Sequence, residues 1–599
     1  MPKLAPLPLL HVCVALAAAG ACSGTMHAPA DTGAPASWAF PADQVVPTYG
    51  ADGMVSTTDR VASEIGAEVL RRGGNAVDAA VATHFALAVV NPEAGNIGGG
   101  GFMIVRLADG TTAALDFREK APLGATRDMY LDSSGAVSER ALVGHLAAGV
   151  PGSVAGMWEA HRRFGSLPWA DLVHPAINLA DGIVVHARLA SSLRSHVEEL
   201  RRFPATSAIF LGDGQPPRVG DRFVQRDLAT TLRRIARDGK DGFYHGETAA
   251  LIEAEMRRGG GIMTRDDLAA YNAPWRDPIV FEYRDHTVIS MPPPSSGGIT
   301  LAQILNTLQG FDLRSLDYHS PDHVHLWTEA TKRAFVDRNE YLADPDFVPQ
   351  PTRELISDGY ALRKRAEIDM DRATPSARVL PGLGPFARTA RTARREGENT
   401  THYSIVDRSG NAVAVTTTIN SLYGNLVTVA GAGFLLNNEM DDFAALPGTA
   451  NQFGLVQGEA NAIEPGKRML SAMTPTIVLD PAGRVKLVTG SPGGPTIITT
   501  VAQIVSNVVD FGMDVGGATA APRLHHQHLP DTIVYERAGM RAGTVAALRA
   551  RGHALRERSG YQGDTQSIVV LPDGRLAGAA DPRRGGAAVG VRVARPVVQ

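Results

Sequence analysis

The chain has 599 residues, of which 44% are hydrophobic and 20% are charged, a composition that excludes a disordered or fibrous protein. Its formal net charge of −4 argues against nucleic acid or another polyanion as a partner. The two cysteines, Cys13 and Cys22, lie near the N-terminus, so the body offers no disulfide, thiolate ligand or cysteine nucleophile. A nucleophile in the body must therefore be a Ser, a Thr or another oxygen or nitrogen group.

The N-terminus has the pattern of an export signal. Lys3 precedes a long apolar stretch that ends in small residues at Ala21. We therefore predict a signal peptide over residues 1–21, a linker over residues 22–45 and an exported protein, either periplasmic or secreted. No other stretch has the roughly 18 consecutive apolar residues of a membrane span, so we predict no transmembrane span in the mature chain.

Two mature forms remain open. Cys22 follows the small residues directly, so signal cleavage could leave it available for a lipid anchor. Ala19 stands where a lipobox would favour Leu. We therefore favour a plain secreted form over an anchored one.

The first part of the body is predicted to be helical apart from one hairpin. Residues 76–90 are apolar almost all round, which predicts a buried helix. A glycine cluster then leads into two strands around the turn Asp109-Gly110. Residues 145–275 show mainly helical patterns separated by polar loops.

The character of the sequence changes around Asn399. Residues 372–398 carry six arginines without periodicity, which predicts an exposed segment. After Asn399 an alternating pattern around Asp-Arg-Ser-Gly-Asn predicts a β-hairpin. A chain cut between Asn399 and Thr400 would place the Thr400 hydroxyl beside its own α-amine, whose pKa would be about 8. Nucleophile and base would then share one residue, although a Thr that opens a strand is also ordinary β-sheet chemistry.

Four further runs after residue 400 could serve catalysis. Each also has a structural explanation, because Asn-Ser, Asp-Asp and Pro-Gly-Gly are common in turns. Glycines after a strand can, however, direct backbone N–H groups at an anion. The candidate residues in these runs are Thr418, Asn420, Glu439, Asp441, Asp442, Ser471, Gly493 and Gly494.

Other motifs fail on spacing. The glycine run at 98–101 lacks the Lys-Ser or Lys-Thr of a P-loop, and residues 292–298 do not form a nucleophile elbow. The histidines at 525, 526 and 528 lack the spacing of a zinc site, and a hydrogen-bonded core explains them better. We therefore predict no metal and no cofactor.

Taken together, these runs resemble the γ-glutamyltransferase family, also called γ-glutamyl transpeptidase or glutathione hydrolase. The shared words, in one order from about residue 46 to near the C-terminus, are GGNAVDAAVA, NIGGGGFM, DFRE, GVPGSVAG, MPPPSSGG, NTTHYSIVD, LLNNEMDDF, TGSPGG and DPRRGGAAVG. The resemblance implies an α+β fold of the N-terminal nucleophile hydrolase type, an αββα sandwich of two sheets between helical layers. It also implies a precursor that cuts itself between Asn399 and Thr400. The heavy chain, residues 46–399, and the light chain, residues 400–599, would then share one core.

The resemblance implies a role for each matching residue. Thr400 matches the nucleophile, Thr418 the Thr that supports it, and Gly493 and Gly494 the backbone donors of the oxyanion hole. The matches for the zwitterionic end of the donor are Arg118, Ser471 and the Ala472 backbone for the α-carboxylate, and Asn420, Glu439 and Asp442 for the α-ammonium. The implied reaction passes the γ-glutamyl group of glutathione or a related amide through a Thr400 ester to water or to an amino acid or dipeptide acceptor.

Two residues depart from the usual family pattern. The family usually has two serines in LSSM, whereas this chain has Ala472 at the second position. We expect weaker donor binding, because a neutral hydrogen bond contributes about 0.5–1.5 kcal/mol and one to a charged group about 1.5–3 kcal/mol. Phe453 lies in the loop 446–468, where bacterial relatives tend to carry Tyr, so a hydrogen bond that would fasten this loop over the pocket is expected to be missing.

Two other functions remain open. An acylase for glutaryl-type side chains would share the fold but would not need an α-ammonium site, so Asn420, Glu439 and Asp442 argue against it. An unprocessed binding protein of the cell envelope is the third hypothesis. Ala472 favours it slightly, and the intact nucleophile and oxyanion residues argue against it.

Overall fold

The computed structural model describes residues 45–384 and 400–593. The predicted signal peptide, Cys22 and the linker up to residue 44 lie outside the described residues, as does Asn399. Thr400 is the first residue of the second described part. Among the described residues, no helix has both the length and the apolar character needed to cross a membrane.

The strands form two sheets of seven strands, one of three and one of two. In chain order they are β1 Thr48–Gly50, β2 Gly53–Thr57, β3 Gly100–Arg106, β4 Thr112–Phe117, β5 Ile183–Val184, β6 Arg222–Phe223, β7 Trp275–Arg276, β8 Ile279–Tyr283, β9 His286–Ser290, β10 Thr401–Asp407, β11 Ala412–Thr418, β12 Thr476–Leu479, β13 Val485–Thr489, β14 Leu524–His525, β15 Ile533–Tyr535, β16 Leu555–Glu557, β17 Gln566–Val570, β18 Leu576–Ala580 and β19 Ala587–Val591.

The α-helices lie between these strands. In chain order they are α1 Arg60–Arg71, α2 Ala76–Val90, α3 Ser153–Phe164, α4 Trp169–Ala180, α5 Ala187–Ser195, α6 Val197–Leu200, α7 Pro204–Phe210, α8 Arg226–Asp238, α9 Asp241–Tyr244, α10 Gly246–Gly259, α11 Arg265–Ala269, α12 Gly297–Leu308, α13 Pro321–Tyr341, α14 Thr352–Leu355, α15 Asp358–Ala366, α16 Thr496–Val509, α17 Val515–Ala520 and α18 Ala542–Ala550.

The two large sheets are antiparallel, and each draws strands from both described parts of the chain. One has the order β1-β18-β17-β13-β12-β9-β8, and the other has the order β19-β2-β10-β11-β3-β4-β7. β10, β11 and β2 contact β17, β13 and β18 of the opposite sheet. The sheets therefore stack face to face.

Helices cover both outer faces of this stack. Alternate residues of β10 point to opposite faces: Tyr403 and Ile405 pack in one hydrophobic cluster with α1–α4 and α8, whereas Val406 packs in another with α12, α13 and α16. Because each sheet is buried on both faces, the layers follow the order helices, sheet, sheet, helices. This arrangement confirms the αββα sandwich that the resemblance implied.

The predicted buried helix and both predicted hairpins are also confirmed, whereas residues 385–398 of the segment predicted to be exposed lie outside the described residues. α2 is buried along its whole length and begins with a capping box between Asn75 and Asp78, which satisfies its first backbone donors. The hairpin around Asp109-Gly110 is β3–β4, and the hairpin after Asn399 is β10–β11. β10 lies between β2 and β11 in the middle of its sheet, so the residue before it is held at a fixed end of a buried strand.

Candidate active site

The register of the β10–β11 hairpin brings Thr400 next to Thr418. Thr401 pairs with Thr417, so Thr400, the residue before β10, lies beside Thr418, the last residue of β11. The Thr400 hydroxyl donates to the Thr418 Oγ1 atom at 3.3 Å, and the Asn420 backbone N–H donates to the same Thr418 oxygen at 2.8 Å. Thr400 is 7% exposed and lines a narrow pocket. The hydroxyl groups of Thr400 and Thr418 thus lie side by side in this pocket.

Two glycines follow β13 and lead into α16. Gly493 and Gly494 have φ angles of +133° and +55°, which favour residues without a Cβ atom. A Cβ atom on Gly494 would lie 2.8 Å from the Phe453 ring, so the loop around Phe453 packs directly on this turn. Since the turn lies at the N-terminal end of α16, the helix dipole makes it favourable for a negative charge.

Arg118 follows β4 and is fully buried. Its Nη1 atom donates to Glu439 and its Nη2 atom to Asp442, while its Nε atom donates to the Met469 carbonyl at 3.2 Å. Glu119 is a third carboxylate, at 3.5 Å from Nη1. The guanidinium is therefore surrounded by acceptors from three separate parts of the chain.

Burial and pairing have opposite effects on these groups. Burial raises the pKa of Glu439 well above its ordinary value and also raises the pKa of Asp442, and in both cases Arg118 opposes the shift. Burial alone would lower the pKa of Arg118, but the carboxylates of Glu439, Asp442 and Glu119 raise it. For Arg118 the pairing outweighs burial, whereas for both carboxylates burial outweighs the pairing and the pKa stays raised.

Asn420 and the Ser471-Ala472 segment form the remaining walls. Asn420 has a left-handed φ of +70°, and its side-chain amide donates to the Asn438 carbonyl at 2.9 Å. The Ser471 carbonyl accepts from the backbone and the hydroxyl of Ser296, at 2.8 and 2.6 Å. The Ser-Ser pair of the PPPSSGG run thus positions the Ser471-Ala472 segment.

The structure brings the predicted residues together. Those that line the one pocket are Arg118, Thr400, Thr418, Asn420, Glu439, Asp442, Ser471, Ala472 and Gly494. Gly493 precedes Gly494 in the same turn. Phe453 and Leu455 of the loop 446–468 line the pocket as well, and the Phe453 backbone is held by Asn451 and Gln527.

The sequence did not single out Arg338, which also lines this pocket. Arg338 belongs to α13, and no motif around it marked it, because a helix with many charged residues ordinarily faces solvent. No signal in the sequence would have found it, since the burial of α13 from His323 to Arg338 is visible only in the structure. Asp441, named among the candidates, lines a neighbouring cleft instead of this pocket.

The histidine run does not line the pocket. Within residues 45–384 and 400–593, no group of three or more His, Cys, Asp and Glu side chains is arranged to hold a metal ion. His525 bonds Thr499 and Gln527, and His528 bonds the Ser376 carbonyl. These histidines are hydrogen-bonded in the core.

Comparison with known proteins identifies similar sequences and folds. The family described as Gamma-glutamyltranspeptidase matches residues 62–591. The chain is 47% identical over 584 residues to the glutathione hydrolase proenzyme of Escherichia coli (strain K12), covering 96% of this chain and 98% of that protein.

Two solved structures extend the similarity to the fold. The cephalosporin acylase of Bacillus halodurans has a TM-score of 0.81 at 28% identity and covers 94% of this chain and 99% of that one. The gamma-glutamyltranspeptidase of Helicobacter pylori has a TM-score of 0.54 at 46% identity and covers 55% of this chain and 96% of that one.

Proposed function

The chain is an enzyme of the gamma-glutamyltranspeptidase family, and on that premise we propose that it cuts itself before Thr400 and then transfers the γ-glutamyl group of glutathione and related amides. The acceptor is water, an amino acid or a dipeptide. The observation that carries the proposal is the position of Thr400 in the same pocket as Arg118, Glu439 and Asp442. A nucleophile beside one cation and two carboxylates suits a donor that is a zwitterion at one end and an amide at the other.

The donor is held by an exchange of ion pairs. Its α-ammonium binds Glu439 and Asp442, the two carboxylates that contact Arg118. Arg118 then binds the α-carboxylate, for which its planar fork is suited. All of these protein groups are largely buried. Each ion pair that Arg118 gives up is therefore replaced by an ion pair with the donor, and no charge is left without a partner. The γ-carbonyl then lies over Thr400.

The chain is cut by the same residue that later turns over the donor. The Thr400 hydroxyl attacks the Asn399 carbonyl, the acyl group moves from nitrogen to oxygen, and water hydrolyses the ester. The heavy chain then ends at Asn399 and the light chain begins at Thr400. Before this step the Thr400 nitrogen is an amide and cannot accept a proton, so the uncut chain lacks its base.

Turnover uses the freed α-amine. The amine takes the proton from the Thr400 hydroxyl as its oxygen attacks the γ-carbonyl, and the oxyanion is stabilised by the backbone N–H groups of Gly493 and Gly494. The amine of the leaving group takes that proton, and a γ-glutamyl ester remains on Thr400. Water or the amine of an acceptor then attacks the ester and restores the hydroxyl. Thr418, whose Oγ1 atom accepts a hydrogen bond from the Thr400 hydroxyl, keeps the nucleophile in position.

The N-terminal pattern supports export of this enzyme. We propose that residues 1–21 are removed and that the mature protein is periplasmic or secreted, without a cofactor or a nucleic-acid partner. A form anchored by lipid on Cys22 is the alternative. Mass spectrometry of the mature N-terminus distinguishes the two, because a lipid adds a fixed mass to Cys22.

The test of the cut is the mass of the purified protein. We expect two chains divided between Asn399 and Thr400, and hydrolysis of a γ-glutamyl anilide. Thr400→Ala should remain one chain and be inactive. The matched control is Thr401→Val, because the Thr401 hydroxyl is buried and has no hydrogen bond among the described residues; this variant should be cut and active. An intact, inert wild-type chain would refute the proposal.

A glutaryl acylase is the second candidate, and the similarity to a cephalosporin acylase favours it. The two carboxylates in the pocket argue for a donor with an ammonium group, which a glutaryl side chain lacks. The two functions differ in the anilide they prefer. We expect γ-glutamyl anilide to have a kcat/KM about 100-fold or more above that of glutaryl anilide, since an unpaired buried charge is costly. Equal values, or the reverse order, would favour the acylase.

A further inference from the structure

Arg338 is a buried arginine for which the described part of the chain supplies no ion-pair partner. It lies in the last turn of α13 and is 1% exposed. Its Nε and Nη1 atoms donate to the neutral oxygens of Ser296 and Asn339, and no carboxylate within residues 45–384 and 400–593 forms an ion pair with it. An arginine keeps its proton in proteins, and a buried charge without a partner is destabilising. Burial lowers the pKa of Arg338 to about 10, and Asp442 opposes that shift from a distance.

The guanidinium is fixed on the wall of the pocket that carries Ser471 and Ala472. Its Nε atom donates to the Ser296 hydroxyl at 2.9 Å, and its Nη1 atom donates to the Asn339 side chain at 2.9 Å. The Ser296 hydroxyl donates in turn to the Ser471 carbonyl at 2.6 Å. Arg338 is therefore tied to the backbone on the wall where Ala472 offers no hydroxyl.

The charges of the pocket explain why a cation is retained there. Two guanidinium groups, Arg118 and Arg338, line the pocket together with two carboxylates, Glu439 and Asp442. Both carboxylates bind Arg118, so Arg338 has only the longer-range attraction of Asp442. A zwitterionic donor leaves the total charge unchanged, but its ammonium takes both carboxylates. The α-carboxylate of the donor is then the anion that binds the guanidinium groups of both Arg118 and Arg338.

We propose that Arg338 is a specificity-determining residue for the donor: with Arg118 it forms a two-guanidinium site for the α-carboxylate, on the wall where Ala472 replaces a serine. The proposal rests on the γ-glutamyl donor of the proposed function. The second guanidinium compensates in part for the missing hydroxyl, because a charged hydrogen-bond donor binds an anion more strongly than a neutral one.

The test compares two anilides that differ only in the α-carboxylate. The γ-glutamyl anilide carries it, and the 4-aminobutyryl anilide lacks it and keeps the ammonium. We expect Arg338→Met to raise KM for the γ-glutamyl anilide about 10–100-fold, with kcat within about threefold. The kcat/KM for the 4-aminobutyryl anilide should stay within about threefold. For Arg338→Lys, the KM for the γ-glutamyl anilide should lie between those of the wild type and Arg338→Met, because Lys keeps the charge but loses the planar fork.

The matched control is Arg333→Met. Arg333 lies in the same helix and is also buried, but it is paired with Glu329 and does not line the pocket. This variant should lose thermal stability with KM unchanged. An equal loss with both anilides in Arg338→Met, or an unchanged KM, would overturn the proposal, since the first outcome indicates a structural role and the second indicates none.

Binding measurements keep this inference separate from the proposed function. If the wild type hydrolyses no γ-glutamyl anilide, the proposed function fails, and calorimetry with L-glutamate and 4-aminobutyrate still tests Arg338. Arg338→Lys serves here if the Met variant does not fold. We expect the Lys variant to bind L-glutamate about tenfold more weakly than the wild type and 4-aminobutyrate equally. Equal L-glutamate affinity, or none in the wild type, would overturn the inference.

Discussion

At the scale of single residues, Arg118 is the centre of the pocket. It contacts Glu439 and Asp442, which lie more than 300 positions later in the chain. Glu119 stands beside it, and burial raises the pKa of that carboxyl to about 7. Arg118 therefore faces three carboxylates, of which Glu439 and Asp442 line the pocket, and in the proposed function the donor ammonium binds those two.

A serine at position 472 should strengthen donor binding. Ala472 lines the pocket and is 8% exposed, so a hydroxyl there would reach a donor carboxylate. We expect Ala472→Ser to lower KM for γ-glutamyl anilide about 3–10-fold, because one hydrogen bond to a charged group is gained. Steady-state kinetics measures the change. The 4-aminobutyryl anilide, which has no α-carboxylate, is the control and should respond little; a parallel response would contradict the assigned contact.

Asp441 should make the protein less stable as the pH rises. Burial, with a smaller contribution from Asp442, raises the pKa of Asp441 to about 7 from 3.8. The folded state thus favours the protonated carboxyl of Asp441. The stability that this protonated carboxyl contributes is fully present below pH 4 and is lost as the pH rises to about 7. Asp441→Asn removes the ionisation, and its advantage over the wild type should grow over that interval by on the order of 2–4 kcal/mol.

Thermal unfolding of Asp441→Asn between pH 4 and 8 measures this effect. The control is Asp213→Asn, because Asp213 lies in an exposed turn. That variant should follow the wild-type pH dependence. An advantage of Asp441→Asn that stays constant over the interval would show that its carboxyl titrates at its ordinary pKa.

At the scale of elements, strand ends and the loops that follow them supply most of the site. Arg118 follows β4, Thr400 precedes β10 and Thr418 ends β11. The hairpin register that sets Thr400 against Thr418 was predictable, because the alternation on both strands and the short turn were visible in the sequence. The contact between the β13–α16 turn and Phe453 was not, since it joins two loops that have no periodicity.

Gly494 should be intolerant of a side chain for a reason specific to the site. Gly494→Ala introduces a Cβ atom 2.8 Å from the Phe453 ring at a φ of +55°. We expect a fall in kcat of about 100-fold or more, because the backbone donors of the turn must move. Chain masses and kinetics measure the cut and the turnover.

The matched control for that change is Gly483→Ala. Gly483 has a φ of +76° in the β12–β13 turn, and a Cβ atom there would meet nothing within 4 Å. Gly483→Ala should lower the free energy of unfolding by about 1–2 kcal/mol and leave activity unchanged. If both variants keep full activity, the β13–α16 turn has no part in catalysis.

At the scale of the whole molecule, the sheets mix strands from the two sides of the predicted cut. In one sheet β2 lies between β19 and β10, and β3 lies beside β11. Ion pairs such as Arg118–Glu439 and Lys332–Asp531 also join the two parts. We therefore expect a break before Thr400 to leave the core intact.

The cut protein should behave as one particle. We expect both chains to elute together on size exclusion without denaturant and to unfold in a single calorimetric transition, because neither chain completes a seven-stranded sheet alone. They should separate on denaturing gels. Separation of the chains in native buffer, or two well-resolved transitions, would contradict a shared core.

The sequence by itself determined the local elements and named most of the residues that line the pocket. Periodicity is a short-range property, so it was enough for the buried α2 and the β10–β11 hairpin, and the family words named Thr400, Arg118 and the two glycines. Only the tertiary structure decided which charges meet. Arg118, Arg338 and Asp442 come from three distant parts of the chain, and their contacts depend on how two stacked sheets and a buried helix pack. Spacing along the sequence carries no information about that packing. The proposed cut before Thr400 therefore follows from the sequence, whereas a second guanidinium in the pocket follows from the fold.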